Sequence, residues 1–552
     1  MNLITWIWRQ FLYESKLTAN MSVKIGLVAA AAISPWCYAT TILDSVRLTY
    51  VCGFAGFCWF VAGATVKILL YTFMAIELKR RAPRANTIPE ALRVRFGIKA
   101  YLAFFTYGVA VQILTTTALL HGGPAALNFT TGTNTIVMNY LFPLGMVIYM
   151  YSGGSTSTFI SNYLQVRAFE SLPVLKPPGK LWDLLQPDAV QTSAYGAKDG
   201  SYLTMQSGEG LILGVVIIVS GFGSVFVGPA YGQKAIAGEP NVVINGYVFG
   251  VLAWFSIPLR LCATMSFVAI APANTEYWPV SAGITPYQIN NALILPLTAQ
   301  AVMGKDGAAA VILMVFVAVT SLFSAEIIAH ASFVTFDIYQ PYINPAADDK
   351  GLKLVSRIAL AFSAIFSASF STALNASSVS MAVIPIALAV NSAHVSPTYI
   401  LARNNQGLLR RINVLTTFEN WPMFAGCTVG LFAPLSQWVA MRPFTERLNW
   451  DRLFLMQAVQ PRLGEPTYSH EDESDLADCD PAGLARSSRN AKIACVVMCL
   501  IFLVIIPFSL CGSESIFSGG FFTGWTVIVF IWCWCATLPI WCVSKRCNLS
   551  RQ

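Results

Sequence analysis

Ser34-Pro35-Trp36-Cys37-Tyr38-Ala39-Thr40-Thr41 lies inside an otherwise apolar run from 24 to 45, and its reading decides the fold. About 20 apolar residues carry a helix across a bilayer, so the run is long enough to span. Pro35 removes an amide hydrogen and frees a carbonyl one turn back. In hydrocarbon, freed backbone groups persist only where protein or a watery cavity serves them. The run is therefore a spanning helix in which Pro35, between Ser34 and Trp36, either exposes backbone oxygens to an ion or solute or marks a simple kink with a packed tryptophan.

Outward from this point, similar apolar runs recur at 51 to 76, 100 to 120, 135 to 152, 210 to 230, 243 to 271, 308 to 331, 358 to 374, 380 to 402, 421 to 440, 493 to 510 and 521 to 543. About twelve spans are expected in all, an all-α polytopic bundle. Composition agrees: the 552 residues are 55% apolar and 11% charged, against about 25% charged in soluble domains. That excludes a strictly cytosolic enzyme. The formal charge of +8 fits basic loops on one membrane face rather than a nucleic-acid partner. Thirteen cysteines lie without metal or disulfide spacing, Cys58, Cys262 and Cys499 inside apolar runs, so they are expected to behave as small hydrophobes. No metal, cofactor or enzyme chemistry is implied.

Residues 1–23 form a leading segment with Arg9, Glu14 and Lys16 and no cleavage-site pattern. The helical core is assigned to 24–440, a polar loop to 441–490 with the acidic run Glu471 to Asp475, and two last spans to 491–552. Lys79, Arg80, Arg81, Arg84, Arg93, Arg95 and Lys99 place the loop 77–99 in the cytoplasm, and both termini with it. The sequons at Asn128 and Asn375 then fall on outer loops. The crossings do not close, because an odd number of spans separates this loop from the basic loop 340–357. A crossing is missing within 153–208. A second conflict surrounds the span 421–440, which has arginines on both sides.

Local strings add to hydropathy. Ser22-Val-Lys-Ile-Gly-Leu27 leading into Ser34–Thr41, Ala75-Ile-Glu-Leu-Lys-Arg-Arg-Ala-Pro83, Phe222-Gly-Ser-Val-Phe226 with Ala230-Tyr-Gly-Gln-Lys-Ala-Ile236, Gly250-Val-Leu-Ala-Trp-Phe255, Ala318-Val-Thr-Ser321, Phe336-Asp-Ile-Tyr339, Pro422-Met-Phe-Ala-Gly426 and Phe521-Phe-Thr-Gly-Trp525 occur in one order along the chain. Together they resemble the urea active transporter branch of the sodium:solute symporters. The resemblance implies a five-plus-five inverted repeat in a plasma membrane, with interrupted helices meeting at mid-bilayer and alternating access by rocking one helix group against the other. It implies urea or a similar small solute as cargo, a proton or sodium ion as its partner, and the lipid bilayer as solvent. On that frame a helix before the core, most of the fifth core helix after Gln165 and a stretch near 378–415 are missing.

Candidate residues follow from the chemistry of urea, whose carbonyl wants donors, whose N–H groups want acceptors and whose faces suit an aromatic slot. Ser34, Trp36, Tyr231 and Trp254 are the solute candidates. Gly221, Gly223, Gly228 and Pro229 make the helix before Tyr231 easy to interrupt, or alternatively pack it closely. The family carries an aspartate where Gly228 stands, a tryptophan at Gly232 and a second serine at Pro35. Thr320 and Ser321 match the positions that supply oxygens to sodium in sodium-coupled relatives, and Glu326 with His330, four apart, suits a proton path or an inward ion pair. Lys67 and Arg260 fall inside spans, where each costs about 2.5–3.5 kcal/mol unless paired; Asp44 is one candidate partner for Lys67, and the sequence shows no pairing. Polyamine uptake, and a degenerate paralogue or nutrient sensor that moves nothing, stay open as alternatives.

Overall fold

The computed structural model describes residues 36, 39–81, 88–152, 178–186, 192–227, 240–270, 284–376, 424, 428, 436, 481–512 and 516–549. Nine long helices carry the described fold: α1 Ala39–Arg81, α2 Ile88–Thr131, α3 Thr135–Ser152, α4 Gly208–Val227, α5 Pro240–Leu261, α6 Ile294–Ser332, α7 Asp349–Ala376, α8 Pro481–Leu500 and α9 Gly519–Leu549. Six stretches among them are long and apolar enough to cross a membrane. Wider turns extend three helices: Cys262–Ser266 after α5, Phe333–Ile343 after α6 and Ile501–Ile505 after α8.

The helices sort into two groups by what they pack against. One holds α1, α4, α5, α8 and α9; the other holds α2, α3, α6 and α7, and α1 meets α6 between them. Burial follows this arrangement. The span Thr41–Met74 is 89% buried, whereas Ser488–Gly512 is only 17% buried. On the outer helices the exposed side chains are apolar, including Phe362, Ile365, Val496 and Val504, as a lipid-facing belt requires because hydrocarbon solvates apolar groups freely. Among the described cysteines, Cys52, Cys58, Cys262, Cys495 and Cys533 are buried, Cys499 and Cys511 are half-buried and Cys535 is exposed.

Small residues let α1 and α4 run in parallel at close range. A Cβ on Gly214 would lie 2.9 Å from Cβ of Trp59, one on Gly210 3.1 Å from Cβ of Ala55, and one on Gly63 3.2 Å from the Gly214 carbonyl oxygen. Dispersion between closely approaching backbones replaces the hydrophobic drive that lipid removes.

Several element bounds differ from the expectation. Residues 39–45 of the first run and the whole run 51–76 are joined within α1, which breaks at Gly53, at φ 65°. The α2 helix starts at Ile88 and bends at Gly97; α6 starts at Ile294 and bends at Gly304. The α8 helix begins at Pro481, inside the polar segment assigned to 441–490. Hydropathy shortens helices whose ends are polar, because an apolar stretch measures the hydrocarbon and not the hydrogen-bonded helix. Asp44 pairs with Arg47 at 2.8 Å rather than with Lys67, a local i,i+3 match that outcompetes a distant one. Asn128 Nδ2 donates to the Thr133 carbonyl at 2.7 Å, which closes the end of α2.

The Gly53 break is served by a connection from the far side of the sequence. Phe54 N–H, released by the break, donates to the Tyr202 carbonyl at 3.0 Å, and Tyr195 N–H donates to the Val51 carbonyl at 2.8 Å. The Tyr202 hydroxyl and Thr192 Oγ1 lie 2.9 Å apart, and burial pushes this phenol up from its ordinary pKa. Phe517 and Trp525 close the same end, with ring centroids 4.8 and 5.3 Å from Phe54. A Cβ at Gly53 would meet Cα and the carbonyl oxygen of Tyr202 at 3.0 Å. Gly53→Ala is therefore expected to destabilise by about 1–3 kcal/mol, from positive φ and the clash together. A lowered thermal midpoint of the solubilised protein checks this, with Gly132→Ala, at a positive φ facing open space, as the milder control.

Candidate functional site

Trp36 and Trp254 come together. The indole Nε1 of Trp254 on α5 donates to the main-chain carbonyl of Trp36 at 2.7 Å, and the two residues are 1% and 2% exposed. Trp36 directly follows Ser34-Pro35 in the sequence, and the bond serves its buried main-chain carbonyl. The Trp36 ring lies 6.2 Å from that of Tyr71 on α1. Three large amphipathic side chains thus gather where three helical segments meet, each with an apolar face and a polar handle. Tyr71 is fully buried and was not among the sequence candidates; tyrosine in a long apolar run carries no signal until its neighbours are known. Ser34 and Tyr231 lie outside the described residues.

Thr320 is fully buried on α6, its hydroxyl donating to the Phe316 carbonyl at 2.7 Å. That bond uses the proton and leaves the oxygen lone pairs to accept, the state in which a hydroxyl can serve a hard cation. Ser321 follows it in the same helix. Glu326 and His330, also on α6, share one face by their spacing of four. Six residues from Thr320, Glu326 is rotated by about 120° from it at 100° per residue. The hydroxyl and the ionisable pair therefore belong to different faces, and the four α6 candidates do not form one cluster.

Glu326 is 2% exposed, and Gln112 Nε2 from α2 donates to its main-chain carbonyl at 2.8 Å. The remaining Gln112 Oε1 and His330 Nδ1 are buried and have no hydrogen-bond partner within the described residues. A polar seam continues to the neighbouring helices: Ser367 of α7 donates to Thr116 of α2 at 3.1 Å, and Asn139 of α3 donates to Thr372 of α7 at 3.0 Å. Hydrogen bonds of this kind hold membrane helices together at about 0.6–2 kcal/mol each.

Arg260 is fully buried and folds back along α5, with Nε donating to the Ser256 carbonyl at 3.0 Å and Nη2 to Ser256 Oγ at 2.9 Å. Its guanidinium thus solves part of its desolvation locally, which sequence spacing of four permitted but did not require. Among the described residues no group of three or more His, Cys, Asp or Glu is arranged to hold a metal ion.

Trp254→Phe keeps the ring and removes the donor, leaving the Trp36 carbonyl buried and unserved. A loss of about 1–3 kcal/mol in stability is expected, larger than for Phe255→Leu on the half-buried neighbour. Thermal unfolding in detergent reads both.

The amino-acid sequence has relatives along nearly its full length, although no protein-family model matches it. The probable urea active transporter 1 of Schizosaccharomyces pombe is 34% identical, over 96% of this chain and 85% of its own. The urea active transporter of Saccharomyces cerevisiae is 32% identical, over 94% and 84%. The urea-proton symporter DUR3 of Oryza sativa is 35% identical, over 75% and 64%. The first two alignments run to 576 and 623 positions, longer than the 552 residues here, so those relatives carry residues that this chain lacks. Among solved structures, a sodium-coupled sialic acid symporter superimposes with a TM-score of 0.55 at 14% identity, over 78% of this chain and 94% of that one. The shared fold is the inverted-repeat transporter bundle that the strings implied. The chain belongs to the urea active transporter family.

Proposed function

We propose that the chain is a multi-pass symporter of the plasma membrane, its termini in the cytoplasm, that carries urea or a closely similar small solute with a proton or a sodium ion. The observation that carries this reading is that the chain is 34% identical to a probable urea active transporter across 96% of its length; the Trp254 hydrogen bond to the Trp36 carbonyl gathers two of the solute candidates. The resemblance implies an interrupted first helix here, which would leave main-chain groups near mid-membrane for a polar guest.

In this reading Ser34, Trp36, Tyr231 and Trp254 form the solute slot. Urea presents flat faces to the aromatic rings, and its N–H groups find hydroxyl and carbonyl oxygens. Thr320 and Ser321 supply oxygens to the coupled ion, while Glu326 and His330 handle a proton on the other face of α6. Gln112 and His330 support that second role, since each retains a buried polar atom unpaired within the described residues. The group α1, α4 and α5 then rocks against α2, α3, α6 and α7, and the site opens to one side at a time. No covalent step is needed; the work comes from the ion gradient.

A second reading, a sensor that binds solute without moving it, is favoured by one fact: the fungal relatives carry residues that this chain lacks. Labelled urea uptake separates the two in a yeast strain without its own carrier. Saturable uptake is expected that collapses with a protonophore, or on sodium removal if sodium is the partner. A chain that reaches the plasma membrane and yields no saturable, gradient-dependent uptake overturns the symport reading in favour of the sensor.

A further inference from the structure

Asp337 is a buried carboxylate that the transport cycle proposed above leaves unused. It is 4% exposed and stands in the wide turns Phe333–Ile343 that extend α6. The Tyr101 hydroxyl of α2 donates to its main-chain carbonyl at 3.0 Å and lies 3.4 Å from its Oδ1. Two further pairs join the same helices: the Phe105 and Phe333 ring centroids lie 5.3 Å apart, and Gln112 Nε2 donates to the Glu326 carbonyl at 2.8 Å. From pair to pair α2 advances by four residues and then seven, while α6 retreats by four and then seven. The helices are therefore antiparallel in constant register, and the level between the last two pairs sets the buried Gly108 opposite His330.

Glu326, His330, Phe333 and Asp337 thus follow one stripe of α6 and its extension, facing Gln112, Gly108, Phe105 and Tyr101 on one stripe of α2. Ionisable groups inside a span are costly and mark ion pathways. Three in file, divided by a pair of rings, have the form of a route with a gate. The α2 and α6 helices belong to the same packing group, so rocking one group against the other does not open the interface between them. A proton held by Glu326 or His330 therefore needs a way out along the stripe. Toward the basic loop 77–99 the next ionisable group is Asp337, about 10 Å from His330 at about 1.5 Å per residue. Only the Phe105–Phe333 layer lies between them. Beyond Asp337 the segment reaches the surface: Tyr342 is 51% exposed, and the guanidinium of the exposed Arg93 lies 5.8 Å from the centre of the Tyr101 ring and 5.7 Å from that of Tyr342. The α7 helix, packed against the same turns, adds Lys350, Lys353 and Arg357. The last buried carboxylate of the file thus abuts a cationic, solvated end.

We propose that Asp337 is the cytoplasmic terminus of a proton route from Glu326 and His330, and that the rings of Phe105 and Phe333 are the gate that keeps it closed. The inference rests on the proton arm of the reading above and deepens it. With the rings together the file is broken by an apolar layer, and hydrophobic constrictions of this kind gate by excluding water. When the rings part, the proton on His330 passes through water to the Asp337 carboxylate, leaving a neutral imidazole and a carboxylic acid. The acid then gives the proton to cytoplasmic water, and the carboxylate is restored. No other bond changes.

The test uses the full chain in oocytes under voltage clamp, with surface levels read by biotinylation. Wild type is expected to pass inward current with urea and none without it. Phe105→Ala and Phe333→Ala are each expected to add a urea-independent current whose reversal potential follows the proton gradient, and Asp337→Asn is expected to cut that leak by about 10-fold or more. Asp337→Asn alone is expected to lower the maximal urea current by about 10-fold at an unchanged half-saturating urea concentration, and Asp337→Glu to restore it. Where an alanine variant fails to reach the surface, Phe105→Leu or Phe333→Leu, which removes the ring and keeps an apolar side chain, takes its place. Either of two results overturns the proposal: ring variants that reach the surface and stay proton-tight, or a leak that Asp337→Asn leaves intact. The leak needs no urea, so the two readings fail separately. Wild-type urea current that follows sodium and ignores pH ends the proton arm of the function, while a leak that depends on Asp337 still supports the gated route.

Discussion

A main-chain carbonyl in hydrocarbon must be served, and the contact between Trp254 and the carbonyl of Trp36 serves the one beside Ser34-Pro35. Without a donor there, the buried carbonyl would cost about 1–3 kcal/mol. A tryptophan is suited to the task because its N–H is a donor only, on a large apolar body that excludes competing water. The donor comes from α5, 218 positions away in the chain. Trp36 is thereby tied to a helix of the group that also holds α1.

Rigidity within that group has a second source. Between α1 and α4 the helices approach until the absence of a Cβ on Gly210, Gly214 and Gly63 becomes necessary. The α5 helix is bound to α8 and α9 through rings, Phe255 lying 4.5 Å from Phe502 and 5.8 Å from Trp532. The other group is held differently. There the contacts between α2, α3 and α7 are hydroxyl and amide bonds, such as Ser367 to Thr116 and Asn139 to Thr372. Close packing also occurs in this group, where a Cβ on Gly123 would lie 2.8 Å from Val319 of α6. Tyr101 of α2 adds to it by donating to the Asp337 carbonyl at 3.0 Å.

Much of the fold was legible in the amino-acid sequence because lipid forces the signal to be coarse. Runs of apolar residues are obligatory, and each described spanning helix contains one. What escaped were breaks that need no polar residue: Gly53, Gly97 and Gly304 turn at positive φ inside helices that look continuous. Glycine is common in membrane helices as a packing residue, so its conformational use is invisible until a partner backbone is known. At the site, the pairing of Trp36 with Trp254 was half legible. Both stood out as large rings beside polar groups, but a hydrogen bond between residues 218 positions apart has no local signature. Glu326 and His330 were legible as a pair from spacing alone, whereas their separation from Thr320 needed only the helical period.

The charged residues complete the division into groups. Glu77, at the far end of α1, accepts from Lys492 at 2.8 Å and from Ser488 at 2.9 Å on α8, and Lys492 lies 5.2 Å from the centre of the Phe73 ring. An exposed ion pair alone contributes little, about 0–1 kcal/mol. Here it is combined with a hydroxyl donor and an aromatic face, so three weak contacts fix one geometry. The consequence is mechanical. The α8 helix follows the polar segment 441–480 directly, and through Glu77 it is fastened to the helix that also bears Lys67 and Tyr71. Among the described helices, α8 packs chiefly against α1 and α5.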